Sequence, residues 1–222
     1  MTPIMDRGRY HHGDLRNALA AAALVLARNG GPEAVVLREV ARQVGVSATA
    51  AYRHFANQRD LLAAVRSRAV ESLANAMVAA VEGCAGPAAP AASAGADPGE
   101  YALARLRSAT HAYLRFAADE PGLFSAAFFA LERDLLGGRA PAGRLDFFQT
   151  EAFTILAHLL DDLVDAGRVP PQQRRHAEYA LWSAMHGIAV TTLDSALRFL
   201  PADERASAVD QAVENTIRGL TR

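Results

Sequence analysis

Apolar residues recur at three- and four-residue spacing along almost the whole chain, with no sustained alternation of period two, which predicts helices and no strands. A first helix starts near Asp14, with Leu15, Leu19, Ala22 and Leu26 on one face, and Gly30-Gly31-Pro32 stops it. A second, short helix over Leu37 to Val44 buries Leu37, Val40, Ala41 and Val44. Gly45-Val46-Ser47 breaks the chain, and a third short helix follows from Ala48 to Phe55. Asn57 reads as an N-cap, with Asp60 three residues on as a short-armed capping box. The fourth helix is long and carries Leu61, Leu62, Val65, Ala69, Leu73 and Met77 toward Glu82. Residues 83–99 are Gly-, Ala- and Pro-rich and read as a flexible loop. Beyond them, helices are expected near 100–118, 122–132, 144–167, 171–199 and 202–220. The fold class is therefore all-α. A three-helix, helix-turn-helix domain occupies 10–57, a connecting helix 58–82, a loop 83–99 and a C-terminal helical bundle 100–222.

Composition supports a packed core, with 51% hydrophobic and 21% charged residues. No run of eighteen or so apolar residues spans a membrane, and Met1 to Arg9 lacks the apolar stretch of a secretory signal. The single cysteine, Cys84, makes neither an internal disulfide nor a thiolate metal site, so a cytoplasmic location is expected. The net charge of −1 hides an asymmetry. Residues 1–69 hold ten arginines against five acids, and the rest of the chain holds thirteen against nineteen. A basic head on an acidic body suggests that the head meets a polyanion. All 23 basic residues are arginine, which reads first as a coding bias accompanying abundant Ala and Gly.

The strongest chemical signal lies between Leu37 and Phe55. Two short helices joined at Gly45 fit a helix-turn-helix, with Ala41 small enough for the crossing and Gly45 able to turn left-handed. Ser47 is placed to cap the third helix and leave backbone N–H groups for a phosphate. Small residues there (Ala48, Thr49, Ala50) let the backbone approach base edges, and Tyr52, Arg53 and His54 reach toward the strands. The same pattern also suits a plain helical hairpin with surface aromatics.

Residues 10–65 resemble the DNA-binding domain of the tetracycline-repressor (TetR) family of bacterial regulators. The resemblance rests on Leu37-Arg38-Glu39-Val40-Ala41, Gly45-Val46-Ser47, Tyr52-Arg53-His54-Phe55 and Asp60-Leu61-Leu62. Trp182-Ser183-Ala184-Met185-His186-Gly187 is similar to a Trp-His-Gly signature in the C-terminal domain of one TetR subgroup. Tyr10-His11-His12-Gly13-Asp14-Leu15 extends the likeness to the start of the chain. The resemblance implies that Thr49 and Ala50 face bases, with Tyr52, Arg53 and His54 on phosphate or nearby base edges and Phe55 in the core. The chain departs from the pattern in several places. Val36 stands where a capping Ser or Thr is usual, Thr49 where Gly is frequent, Ala51 where a bulkier residue is frequent, and Gln58 where Lys is frequent. Arg38 or Arg59 is expected to supply the phosphate contact so lost.

Six of the nine phenylalanines fall between 124 and 153: Phe124, Phe128, Phe129, Phe147, Phe148 and Phe153. With Tyr113, Trp182, Met185 and His186 they either fill the core or line an apolar cavity. The family resemblance implies such a cavity, holding a small apolar or amphipathic effector. Stripes of Ala177, Leu181, Ala184 and Ile188, and of Val209, Val213, Ile217 and Leu220, mark the last two helices. The resemblance implies that these helices form a homodimer bundle, which would present two reading helices to double-stranded operator DNA. Enzymatic signals are weak. The pairs His158/Asp162 and Asp161/Asp165 lack the further ligands a metal needs and read as a solvated face near Arg168. His186 reads as a hydrogen-bonded core histidine. No nucleophile elbow, phosphate loop or HExxH occurs, so neither catalysis nor a cofactor is expected. The expectation is a DNA-binding regulator, a repressor released by its effector. The alternative is an all-α small-molecule- or metal-binding protein whose helix-turn-helix is only structural.

Overall fold

The computed structural model describes residues 12–84, 97–136, 149–194 and 196–221, and within them every regular element is helical. In order these are α1 (His12–Gly30), a 3₁₀ turn (Pro32–Ala34), α2 (Leu37–Val44), α3 (Ala48–Tyr52) and α4 (Gln58–Gly83). Then follow α5 (Pro98–Asp119), α6 (Pro121–Leu136), α7 (Glu151–Asp165), α8 (Pro171–Arg174), α9 (Ala177–Asp194), a second 3₁₀ turn (Ala196–Phe199) and α10 (Ala202–Leu220). The chain divides into two compact units, one of residues 1–68 and 125–144 and the other of 69–124 and 145–222.

In the first unit, α1, α2 and α3 enclose a small core of Leu19, Ala23, Ala27, Leu37, Val40, Ala41, Ala51 and Phe55. The buried face of α1 runs through Leu19, Ala20, Ala23 and Ala27; Leu15, Ala22 and Leu26 are only half-buried, as is Val44 on α2. With six alanines among its residues, this helix offers little hydrophobic contrast to distinguish one face from the next. The turn after α2 closes through two hydrogen bonds, Val46 N–H to the Ala41 carbonyl at 2.9 Å and Gly45 N–H to that of Arg42 at 3.2 Å. This is the Schellman pairing, and it requires the left-handed backbone that Gly45 adopts, φ 78° and ψ 27°. Helix α3 ends at Tyr52, shorter than the expected run to Phe55. Arg53 and His54 bond back by three residues, to the Ala50 and Ala51 carbonyls, which tightens the chain into a turn. Asn57 caps α4 as expected, its side chain accepting from Asp60 N–H at 3.0 Å.

In the second unit α5 lies at the centre, packed against α7, α9 and α10. Alanines at 102, 109, 112 and 117 are buried along it and permit close approach. Asp97 caps α5 through Gly99 N–H at 2.8 Å, with Pro98 in the first turn, so the helix starts inside the stretch read as loop. Arg107 on α5 donates twice to Glu214 on α10, at 2.7 and 3.2 Å, and these bonds hold the Glu214 carboxyl below its ordinary range. The contribution of that pair is present above the ordinary glutamate range and fades as pH falls. The helix expected over 171–199 is broken in the structure. Helix α8 stops at Arg174, His176 takes a left-handed backbone at φ 63°, and α9 begins at Ala177. Helix α7 begins at Glu151, and the earlier part of the expected 144–167 helix lies largely outside the described residues.

The Gly45 turn is testable because a Cβ built there meets nothing within 4 Å. The cost of Gly45→Ala is then the backbone alone, a loss of about 1–2 kcal/mol in unfolding free energy by chemical denaturation. An unchanged midpoint would show that the turn does not depend on the left-handed conformation.

Candidate nucleic-acid interface

Helix α3 has one side fixed inward and the other left to solvent. Ala51 and Phe55, four residues apart, are 0% and 1% exposed and anchor the segment. Ser47 takes an extended backbone, and its hydroxyl accepts from Ala50 N–H at 3.1 Å, the geometry of an N-cap. With that register set, Ser47, Thr49, Tyr52 and Arg53 are exposed, and Ala48, Ala50 and His54 are half-buried. Tyr52 keeps 46% of its surface in water, outside the core that Ala51 and Phe55 enter. Arg38 on α2 and Arg59 on α4 are also exposed. Among the described residues the side chains of Arg38 and Arg53 meet no carboxylate. Arg42, by contrast, is bound to Glu39 at 2.9 and 2.6 Å, and these bonds lower the Glu39 carboxyl.

One residue escaped the sequence pattern. Arg16 on α1 donates to the His54 carbonyl and lays its guanidinium over the Phe55 ring, 4.4 Å from the centroid. It thus ties the end of the α3 segment to α1. No spacing rule links positions 38 residues apart.

The residues expected to line an effector cavity do not form a single group. Tyr113, Phe124, Trp182, Met185 and His186 lie in the second unit, with Tyr113, Phe124 and Met185 buried. The Tyr113 hydroxyl pairs with His186 Nδ1 at 2.9 Å, His186 stacks on Trp182 at 4.9 Å, and Phe124 meets Tyr113 edge-on at 5.7 Å. Burial pushes the Tyr113 phenol far up, so it stays neutral and serves only as a hydrogen-bonding group. Phe153 packs instead on Tyr179, at 5.2 Å, and Phe128 is buried in the first unit. Phe147, Phe148 and the Phe129 side chain lie outside the described residues.

The residues expected at a dimer surface also divide. Ala177, Leu181, Val213 and Ile217 are at most 2% exposed within the single chain, so its own core closes them to a second copy. Ala184, Ile188 and Val209 are half-buried. The face of α9 that does reach solvent is Ala180, Ser183, Gly187 and Thr191. His158, Asp161 and Asp165 are exposed and Asp162 is half-buried, with the carboxylates of Asp161 and Asp162 taken by arginines other than Arg168. Asp161 is paired with Arg174 at 2.6 Å and Asp162 with Arg105, whereas Arg168 binds Asp97 and Glu100. Among the described residues no group of three His, Cys, Asp or Glu converges as a metal would require, and no helix is long and apolar enough to cross a membrane.

The departure at Val36 has a local consequence. Val36 is the N-cap of α2, extended at φ −112° and ψ 125°, 43% exposed and without a side-chain cap bond. Threonine has the same shape and adds a hydroxyl that can accept from the Glu39 N–H at the third helical position, so Val36→Thr supplies the missing side-chain cap. A gain of about 1 kcal/mol in unfolding free energy is expected. A loss would show that the valine packs rather than merely fills the position.

Two family descriptions match the chain. Residues 19–65 match bacterial regulatory proteins of the tetR family, and residues 106–216, half of the chain, match the tetracyclin repressor-like C-terminal domain. Among solved structures, a protein of unknown function from Rhodococcus sp. RHA1 is 24% identical, with 97% of this chain and 100% of that chain covered and a TM-score of 0.69. A bacterial regulatory protein in the tetR family from Rhodococcus RHA1 is 19% identical, with coverage of 92% and 96% and a TM-score of 0.58. The TetR family transcriptional regulator PfmR from Thermus thermophilus is 22% identical, with coverage of 92% and 99% and a TM-score of 0.55. These likenesses are of fold. Curated proteins gave no match. With both its head and its body matched, the chain belongs to the TetR family of bacterial regulators.

Proposed function

We propose that the chain is a homodimeric repressor that works in the cytoplasm and leaves its operator when a small apolar or amphipathic effector binds the C-terminal body. The observation that carries this reading is the outward set on α3. Thr49, Tyr52 and Arg53 reach solvent because Ala51 and Phe55 are locked inside. Thr49 and Ala50 read base edges, while Tyr52, Arg53 and His54 hold phosphate or nearby edges. Arg38 and Arg59 take over the phosphate contact that Val36 and Gln58 do not provide. The effector meets the body at the aromatic cluster, with the Tyr113–His186 pair as its polar handle. Its effect on DNA requires only that it bind the released state more tightly than the bound one.

Dimerisation falls to the solvent face of α9, where Ala180, Ser183 and Gly187 allow close approach and Ala184 and Ile188 flank the contact. A two-fold axis would set two copies of α3 about one DNA turn apart and make the operator roughly palindromic.

Fluorescence anisotropy on the intergenic DNA upstream of the gene, against a scrambled duplex at about 0.15 M salt, tests the reading. Tight binding to the upstream duplex alone is expected, and no retention on either duplex at low salt would overturn it. Arg59→Ala should reduce the salt slope of the affinity by roughly one unit. An unchanged slope removes Arg59 from the interface. For the dimer, Gly187→Glu sets like charges across the axis while leaving the protomer intact, since a Cβ there meets nothing within 4 Å. Sedimentation should show a shift to monomer, whereas a dimer of undiminished strength would place the interface elsewhere.

A further inference from the structure

On the side of α5 away from Tyr113, the residues His111, Leu114, Arg115 and Ala118 share a face and border a groove closed by α9 and α10. It encloses about 390 Å³, within the size range of small-molecule sites. Its walls are aliphatic, with Leu114, Leu193 and Val209 the largest side chains, and its one ring is the His111 imidazole. Four arginines of this unit (Arg105, Arg107, Arg168 and Arg174) are committed to carboxylates. Arg115 and Arg205 are not, and both border the groove. Arg115 has no ion-pair or hydrogen-bond partner among the described residues, and Arg205 donates only to the Arg198 carbonyl at 3.3 Å. The single carboxylate on the lining, Asp210, lies 3.1 Å from His111 Nε2. An apolar trough with two uncommitted cations at its border, on an otherwise acidic body, is complementary to one kind of molecule.

We propose that this groove binds an aliphatic amphiphile with a single anionic head, the head meeting Arg115 and Arg205 and the chain lying along Leu114, Leu193 and Val209. An aromatic ligand has no ring to stack on here apart from the imidazole. A cationic amphiphile would set its charge against two guanidinium groups. The site is distinct from the aromatic cluster, because Tyr113 and His111 project from different sides of α5. It also stands independently of the DNA reading, since occupancy is measured without DNA.

Calorimetric titration of the full chain with decanoate below its micellar concentration tests the site, with decanol and decyltrimethylammonium as neutral and cationic comparisons. Saturable decanoate binding is expected, with both comparisons weaker by about tenfold or more. The double variant Arg115→Gln/Arg205→Gln should weaken decanoate by about tenfold and leave decanol unchanged. Both side chains are at least partly exposed, so the fold should survive, and circular dichroism checks it. Leu193→Trp, which fills the trough, should abolish binding of decanoate and decanol alike. Decanoate affinity that neither variant changes would place the ligand elsewhere and overturn the assignment. Equal affinity for decanoate and decanol in the native chain would reduce the groove to an apolar patch without head recognition, and absence of saturable binding would dismiss it.

Discussion

The left-handed backbone of Gly45 fixes the angle between α2 and α3, and the surface that α3 turns to solvent follows from it. Helices of eight and five residues are too short to persist alone, so their order comes from the turn and from the core beneath them. The turn satisfies two carbonyls at the end of α2 and delivers Ser47 to cap α3. Ala51 and Phe55 then insert into the core, and Arg16 fastens the far end at the His54 carbonyl. Given those constraints, the exposure of Thr49, Tyr52 and Arg53 is a geometric consequence of their positions around α3. The outward chemistry is set by inward packing.

The second unit is organised differently, around polar groups placed inside an apolar core. The Thr110 hydroxyl is fully buried and satisfied locally by the Leu106 carbonyl at 2.8 Å. Tyr113, one turn further, reaches across to His186 on α9. A buried hydroxyl left without a partner would cost on the order of 1–3 kcal/mol, so the pair specifies which turns of α5 and α9 face each other. Apolar contact alone would specify this weakly, because both helices are rich in alanine and tolerate sliding. Ion pairs at the rim, Arg107 with Glu214 and Arg105 with Asp162, add register at the borders with α10 and α7.

What the sequence made legible was local chemistry. The bounds of α2, the Gly45 turn and the Ser47 and Asn57 caps all follow from side chains acting within four residues of themselves. The losses came from partners distant in sequence or from a missing contrast. The buried face of α1 was blurred because alanine fills both the inner and the outer positions. The break at His176 was hidden because a left-handed backbone on a non-glycine residue leaves no compositional mark. Periodicity marked Ala177 and Leu181 on one helix and Val213 and Ile217 on the other as apolar positions, but spacing does not say against what such positions pack. All four turn inward, toward the chain's own core.

Charge shows the same division between what sums and what pairs. The excess of arginine over residues 1–69 describes a long-range field that steers a polyanion and weakens with salt. Contact requires more, because a guanidinium already held by a carboxylate must lose that partner before it meets a phosphate. Arg42 is held in this way by Glu39, one turn back on α2, and the pair is close to neutral beyond its own dimensions. Arg38 and Arg53 keep their donors available at no such cost. In the body the acidic excess hides the reverse case, because most carboxylates facing an arginine are already matched, and the two cations bordering the α5–α10 groove stand out only once those pairs are assigned. Net charge by segment therefore describes a field, and the pairing of individual arginines says which guanidinium groups are open to a new partner.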